Sequence, residues 1–510
     1  MEPMVNSFRK LFSPILDDHS LLNIFDFCRP GVFDEDETDK KHILQHGIWA
    51  RERWWYKFAQ VCRRWRYLIL GSASRLGLCL LCAPRTPVED ILAHSPPLPL
   101  VINYTNTYSR KITTKDEEGI LFALQHHSCV RRIRLSMPAS SLQRVIVAMG
   151  KEFPILEYLF IDPQIYDDIG FTLPETFQAP RLLHVALPNC AFKMGSTLLA
   201  TLEHLVTLLL NCIPPSAQLS PNDLLQRVSL MPHLQILQIH FYSPAARRDV
   251  ERQALVMPIM TLVTLPNLRW FEFKGIGAYL EALLPRMRTP LLEKLQITFF
   301  NQLTFSIPTL QPFIGSTENL TFTSANLRFD YDGVNLEVYP RKGAKIYALC
   351  ICVLCPHHDW QVSLAAQILR VLRPLFPSVV DLTLKYWRFT LSSKRHTRAS
   401  ITQWQEVLRS FNNVKALHVP DSLIEELSGS LTAHEGLGES PIELLPELEE
   451  LRYDAGGGVS GAFVPFLNVR RKAGRPFTLV PIIAPSPRTP TLSKLQQIPQ
   501  SARMAQPGVE

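Results

Sequence analysis

Cys350, Cys352 and Cys355, with His357 and His358 just behind them, are the group in this chain whose types and spacing best suit a metal ion. Thiolate and imidazole bind zinc, and Cys352 to Cys355 has the Cys-x-x-Cys spacing, but a structural site also needs a second ligand pair at a fixed distance. These thiols instead lie along the apolar run Tyr347 to Cys355, which reads as a strand with Cys350 and Cys352 on one face. Neither metal nor cofactor is expected. Cys79 and Cys82 repeat the spacing among Leu78, Leu80 and Leu81, and read as another apolar strand. The glycines of Gly275-Ile-Gly277 and of Gly456 to Gly461 do not continue into a phosphate-binding fingerprint and read as turns. There is no nucleophile elbow and no His-Glu-x-x-His helix. With no catalytic constellation, the expectation is a protein that is not an enzyme and works through its surfaces.

Those surfaces need a scaffold, and composition allows a large one. The chain has 510 residues, 46% of them hydrophobic, enough to bury an extensive core. A formal charge of +7 is small for this length, so nucleic acid is not expected as a partner. The basic runs at Arg131 to Arg134, Lys394 to Arg398 and Arg470 to Lys472 read as solvated faces or loops, as does the acidic run Asp34 to Glu37. The 10 cysteines form no disulfide framework, and Met1 to Pro14 contains no continuous apolar stretch of the secretory kind. A cytoplasmic or nuclear location is therefore the expectation. The longest apolar runs, Leu202 to Ile213 and Tyr347 to Cys355, fall short of the ~20 residues a bilayer requires, so no membrane association is expected.

The scaffold is written as a repeat of the form apolar-x-x-apolar-x-apolar. It occurs at Val130 to Leu135, Leu156 to Ile161, Leu182 to Leu187, Leu205 to Leu210, Leu234 to Ile239, Leu268 to Phe273 and Leu292 to Ile297. It returns at Val379 to Leu384, Val414 to Val419 and Leu448 to Tyr453. The early copies step by 23 to 34 residues, overlapping the leucine-rich-repeat period of ~20–29. One such strand cannot bury its face alone, so stacked neighbours must build a parallel sheet. Helical patterns between copies, as at Ser141 to Met149 and Ser363 to Leu372, complete an α/β unit. The expected fold is a curved leucine-rich-repeat solenoid with its strands on the concave side. Irregular repeats are expected between Ile297 and Val379, a surface loop over Glu425 to Leu445, and an edge strand near Pro476 to Val480. Side chains between the buried ones should face the concave opening. Arg132, Arg134, Tyr158, Phe160 and Trp270 are of the types enriched at interface centres and form the candidate substrate-binding site.

Ahead of the repeats lie two helical patterns. Asp17 and Asp18 supply a cap and first-turn charge to an apolar run at Leu21, Leu22, Ile24 and Phe25. In Trp54 to Ile69 the steps of three and four place Trp54, Phe58, Val61, Cys62, Trp65, Leu68 and Ile69 on one face of a single helix, opposite Lys57, Gln60, Arg63, Arg64 and Arg66. Together these residues resemble an F-box, with Leu16, Leu21, Leu22, Ile24, Phe25, Val61, Cys62, Arg63, Trp65 and Arg66 in the motif's places. Asp17 stands where a proline is usual, and the polar insert Arg29 to Gly47 separates the helices more widely than the compact motif does. The succession through Leu76 to Cys82, Thr86 to Asp90 and Pro99 to Ile102 is similar to fungal F-box-like proteins with a leucine-rich C-terminal part. The resemblance implies a substrate receptor that docks on the Skp-type adaptor of a cullin-based ubiquitin ligase and recruits a protein substrate. Leu16, Leu21, Leu22, Ile24, Phe25, Phe58, Val61, Cys62 and Trp65 would then be the adaptor-binding residues. The alternative is a repeat scaffold whose N-terminal helices only cap its exposed end. The implied division is an F-box-like unit over residues 12–70, a connecting segment with the first strands over 71–110, the solenoid over 111–483 and a disordered tail over 484–510.

Overall fold

The computed structural model describes residues 16–29, 54–105, 111–164, 171–191, 202–214, 219–242, 262–300, 304–355, 358–386, 400–432, 444–454 and 461–482. The tail, most of the insert after the first helix, Lys394 to Arg398 and Gly456 to Gly458 lie outside these residues.

Every copy of the repeat leads into a strand that begins at or within two residues of the copy's first apolar residue. In most copies that first residue sits in a tight turn, its N–H donating to the carbonyl three residues back, as Leu156 to Phe153, Leu182 to Ala179, Leu205 to Leu202 and Leu234 to Met231. The next two apolar positions then point into the core, as Leu159 and Ile161 do, and the residues between them take the opposite face. The strands are β1 Leu80–Cys82, β2 Leu100–Thr105, β3 Val130–Ser136, β4 Tyr158–Asp162, β5 Phe171–Thr172, β6 His184–Ala186 and β7 Cys190–Ala191. They continue as β8 Thr207–Ile213, β9 Ile236–Phe241, β10 Val263–Thr264, β11 Trp270–Gly275, β12 Met287–Arg288 and β13 Lys294–Phe299. The remainder are β14 Ser324–Phe329, β15 Gly333–Tyr339, β16 Leu349–Leu354, β17 Asp381–Tyr386, β18 Ala416–Val419, β19 Glu450–Asp454 and β20 Thr478–Ile482.

Sixteen of these form one sheet in the order β1-β2-β3-β4-β6-β8-β9-β11-β13-β16-β15-β14-β17-β18-β19-β20, and β5 with β7 and β10 with β12 make two short parallel pairs. The main sheet is parallel except at β14, β15 and β16, where β15 runs antiparallel to both neighbours. The irregular repeats expected between Ile297 and Val379 are therefore an excursion: the chain leaves β13, lays down β14 beyond a gap, and fills that gap backwards through β15 and β16. Gly333 makes this possible, because a Cβ there would strike the Val353 carbonyl oxygen of the adjacent strand. Apolar helices back the sheet. Thr114–Gln125 starts with a capping box between Thr113 and Asp116, and Ile401–Leu408 with one between Ser400 and Gln403. The stretch expected as a loop from Glu425 is instead helical over Ile424–Thr432, because Ile424, Leu427 and Leu431 recur at helical spacing and are buried. Residues 433–443 of that loop lie outside the described residues.

At the β1 end stand three helices, α1 Asp18–Cys28, α2 Trp54–Ala59 and α3 Arg63–Gly71. The single helix expected over Trp54 to Ile69 is broken at Cys62, which is extended (φ −156°, ψ 169°) and caps α3, its thiol accepting from the Trp65 N–H at 3.5 Å. The Arg66 guanidinium satisfies the Ala59 carbonyl at the end of α2, 3.0 Å away. The apolar period runs unbroken across this corner, which is why spacing alone reads one helix.

Candidate functional site

Two faces carry the residues singled out in the sequence, and the helical one is the better defined. Asp17 caps α1 by accepting from the Ser20 N–H at 2.7 Å, and that bond holds its carboxyl below the usual carboxylate range. Arg64 fixes α1 against α3 through Asp18 at 2.7 Å and through the Leu16 carbonyl at 2.7 Å. Inside, the Phe25 ring lies 5.7 Å from Phe58 and 5.1 Å from Trp65, at the tilted and edge-on angles aromatic rings prefer. Leu21 and Phe25, expected on a docking surface, are buried in this chain and hold the helices together. Leu16, Leu22, Phe58, Cys62 and Trp65 are half-buried. Only Ile24 and Val61 of the expected set are exposed. Two exposed residues went unassigned in the sequence, Phe27 at 91% and Tyr67 at 80% exposure. Phe27 was legible, since it sits three residues past Ile24 and well off the Leu21–Phe25 stripe.

Trp55, which the expected stripe also omitted, is the anchor. It is buried, and its indole N–H donates to the Cys79 carbonyl at 3.4 Å. Leu80 gives its N–H to Pro99 in the direction of β2, so in the alternating geometry of a strand the Cys79 groups turn to the free side of β1. The helical unit thus covers the sheet's first edge, and Leu21, Phe25, Trp55 and Ile69 join Leu76 and Leu78 in one continuous core.

The second face is the side of the sheet turned away from that core. Its residues align across strands: Arg132, Tyr158, His184, Thr207, Ile236, Trp270 and Lys294 form one row, and Arg134, Phe160, Ala186, Leu209, Gln238 and Glu272 the next. All five candidate substrate-binding residues therefore share one face, with Arg132, Tyr158 and Trp270 in one row and Arg134 and Phe160 in the other. Arg134 and Tyr158 were expected to be exposed, but they are only 4% and 5% exposed, Tyr158 packing in a cluster with Cys79, Leu81 and Val101. Arg134 lies over the Phe160 ring at 5.1 Å, and Lys294 over Trp270 at 3.9 Å and Tyr347 at 4.8 Å. Burial lowers the Arg134 pKa and pushes the Tyr158 hydroxyl up to about 12. It also brings His184 down to about 4, with the Arg132 charge acting in the same direction. Beyond β13 the face neutralises itself through Arg328 with Asp330 and Glu337, Lys342 with Asp381, and Arg452 with Glu450. The basic run ending at Lys472 is likewise not all solvated: Arg470 is buried and donates to the carbonyls of Pro446 and Leu448.

The thiols do not converge. Cys350 and Cys352 point to the row face, whereas Cys355 belongs to the core, and burial pushes the Cys352 thiol up to about 12. Among the described residues no group of three His, Cys, Asp or Glu side chains is placed to hold a metal ion. Gly275 serves packing, since a Cβ there would strike the rings of Phe273 and Phe241. Among the described residues no helix is long and apolar enough to cross a membrane.

This is a mixed α/β protein whose repeats each add a strand to one large, mostly parallel sheet. No family model matches the chain, and no curated protein matches it. Among solved structures it is similar to the leucine-rich repeat-containing protein LegL7 from Legionella pneumophila, at 12% identity over 79% of this chain and 99% of that one, with a TM-score of 0.22.

Proposed function

We propose that this chain is a non-enzymatic receptor built as a leucine-rich-repeat solenoid, which holds a protein partner on its row face and docks its N-terminal helical unit, in the manner of an F-box, on the Skp-type adaptor of a cullin-based ubiquitin ligase. The observation that carries the reading is a set of exposed apolar side chains on a helical unit whose inward side is already spent. A cap needs one apolar side, and here Leu21, Phe25, Trp55 and Ile69 supply it, while Ile24, Phe27, Val61 and Tyr67 remain turned to solvent. Large exposed aromatic and aliphatic side chains are of the types an interface core uses.

The test is calorimetric titration of the chain with its host's Skp-type adaptor, beside Ile24→Asp and Phe27→Asp. These positions are exposed, so both variants should fold as the wild type does and lose binding. Trp65→Ala is a poorer choice, because Trp65 packs on Phe25. Failure of the folded wild type to bind leaves the helices as a cap, the reading that the Trp55 bond to Cys79 favours, and the protein a free-standing interaction scaffold.

A further inference from the structure

The two ends of the main sheet are closed in different ways. At the first, α2 covers β1 and Trp55 takes up the Cys79 carbonyl. At the other, β20 is the last described strand, and no described strand pairs with its outer side. An unpaired edge of this kind is a template for another chain.

β20 runs parallel to β19, with Thr478 opposite Glu450, Val480 opposite Arg452 and Ile482 opposite Asp454. The Thr478 N–H donates to the Glu449 carbonyl at 2.9 Å, so Thr478 faces β19. In a strand the direction alternates residue by residue, so Val480 and Ile482 also face β19, and Leu479 and Pro481 turn their backbone groups to the open edge. Proline has no N–H to give. At 480 or 482 it would delete a ladder bond to β19; at 481 it removes only a donor aimed outward, and the residue is exposed.

We infer that Pro481 keeps the β20 edge from pairing with β20 of a second copy of this chain. A second copy is the occupant to exclude, because two identical edges meeting antiparallel about a twofold axis present the same groups to each other, and every donor missing from one strand is missing twice. Leu479, Val480 and Ile482 are apolar, two of them β-branched, so these side chains do not themselves disfavour pairing.

Pro481→Val and Pro481→Ala in the full chain test this by sedimentation velocity over a range of concentrations, with amide exchange read at each β20 position. The wild type should sediment as one species with a fast-exchanging Leu479 N–H and protected Val480 and Ile482 N–H groups. Both variants should associate as concentration rises, with Leu479 and residue 481 becoming protected. Alanine restores the N–H while adding little apolar surface, so association of the valine variant alone would overturn the donor argument. Variants that sediment like the wild type, association without protection at Leu479, or a wild type already protected there would each overturn it as well.

Discussion

His184 shows how a residue's neighbours fix its charge. It lies in the row face between Tyr158 and Thr207, with Nδ1 3.1 Å from the Thr207 hydroxyl. Burial first, and then the Arg132 guanidinium, disfavour the imidazolium and bring its pKa from the ordinary 6.5 to about 4. Between those values the unfolded chain binds a proton that the folded chain does not. The stability tied to His184 is therefore complete above the unfolded pKa and is lost as pH falls through the interval toward the folded one. The imidazole should titrate near 4 by NMR, and His184→Gln should flatten the decline in urea-unfolding stability across that interval. Its presence on the face was legible from strand alternation, but its neutrality was not. Burial of a row residue depends on which side chains stand beside it across strands, and spacing within one strand does not contain that.

At the scale of elements, the repeat was legible because a buried leucine closing a turn and two alternate apolar residues after it are local requirements. Strand order was not. The patterns at Leu327, Leu336 and Ile346 to Val353 announce strands equally well whether those strands run in sequence or double back. The doubled-back order brings a close approach at Gly333, where an added Cβ would meet the Val353 carbonyl oxygen and come within 3.1 Å of the Leu354 Cα. Backbone cannot move aside as a flexible side chain can. Gly333→Ala should therefore destabilise the chain by about 1–3 kcal/mol, the usual cost of overpacking, measured by urea unfolding. A comparable change at Gly343, which has nothing within 4 Å but a φ of +75°, tests backbone strain without the clash. The helix broken at Cys62 makes the same point, since the apolar period survives a corner held by the Trp65 N–H bond to the Cys62 thiol and the Arg66 bond to the Ala59 carbonyl.

At the scale of the whole molecule, the question is whether the N-terminal helices are a separable docking module or part of the sheet's own construction. A separable module shares little core with the sheet beside it. Here the core runs without interruption from Leu21 and Phe25 through Trp55 to Leu76, Leu78 and the strands beyond. Removing residues 1–72 would expose Leu76 and Leu78 together with the free side of β1, creating an apolar surface and an open edge at once. The truncated chain should melt several degrees lower and aggregate on heating, followed by scanning calorimetry and light scattering. Trp55→Phe is the finer instrument, because it keeps a ring in the core and deletes the donor to Cys79, and it should cost about 1 kcal/mol, the net worth of one hydrogen bond. A truncated chain that stays soluble with an unchanged midpoint would show that the sheet does not depend on the helices. Loss of stability in both variants, with adaptor binding abolished separately by Phe27→Asp, would mean that one helical unit serves two ends: its inner face completes the sheet, and its outer face is left free for another protein.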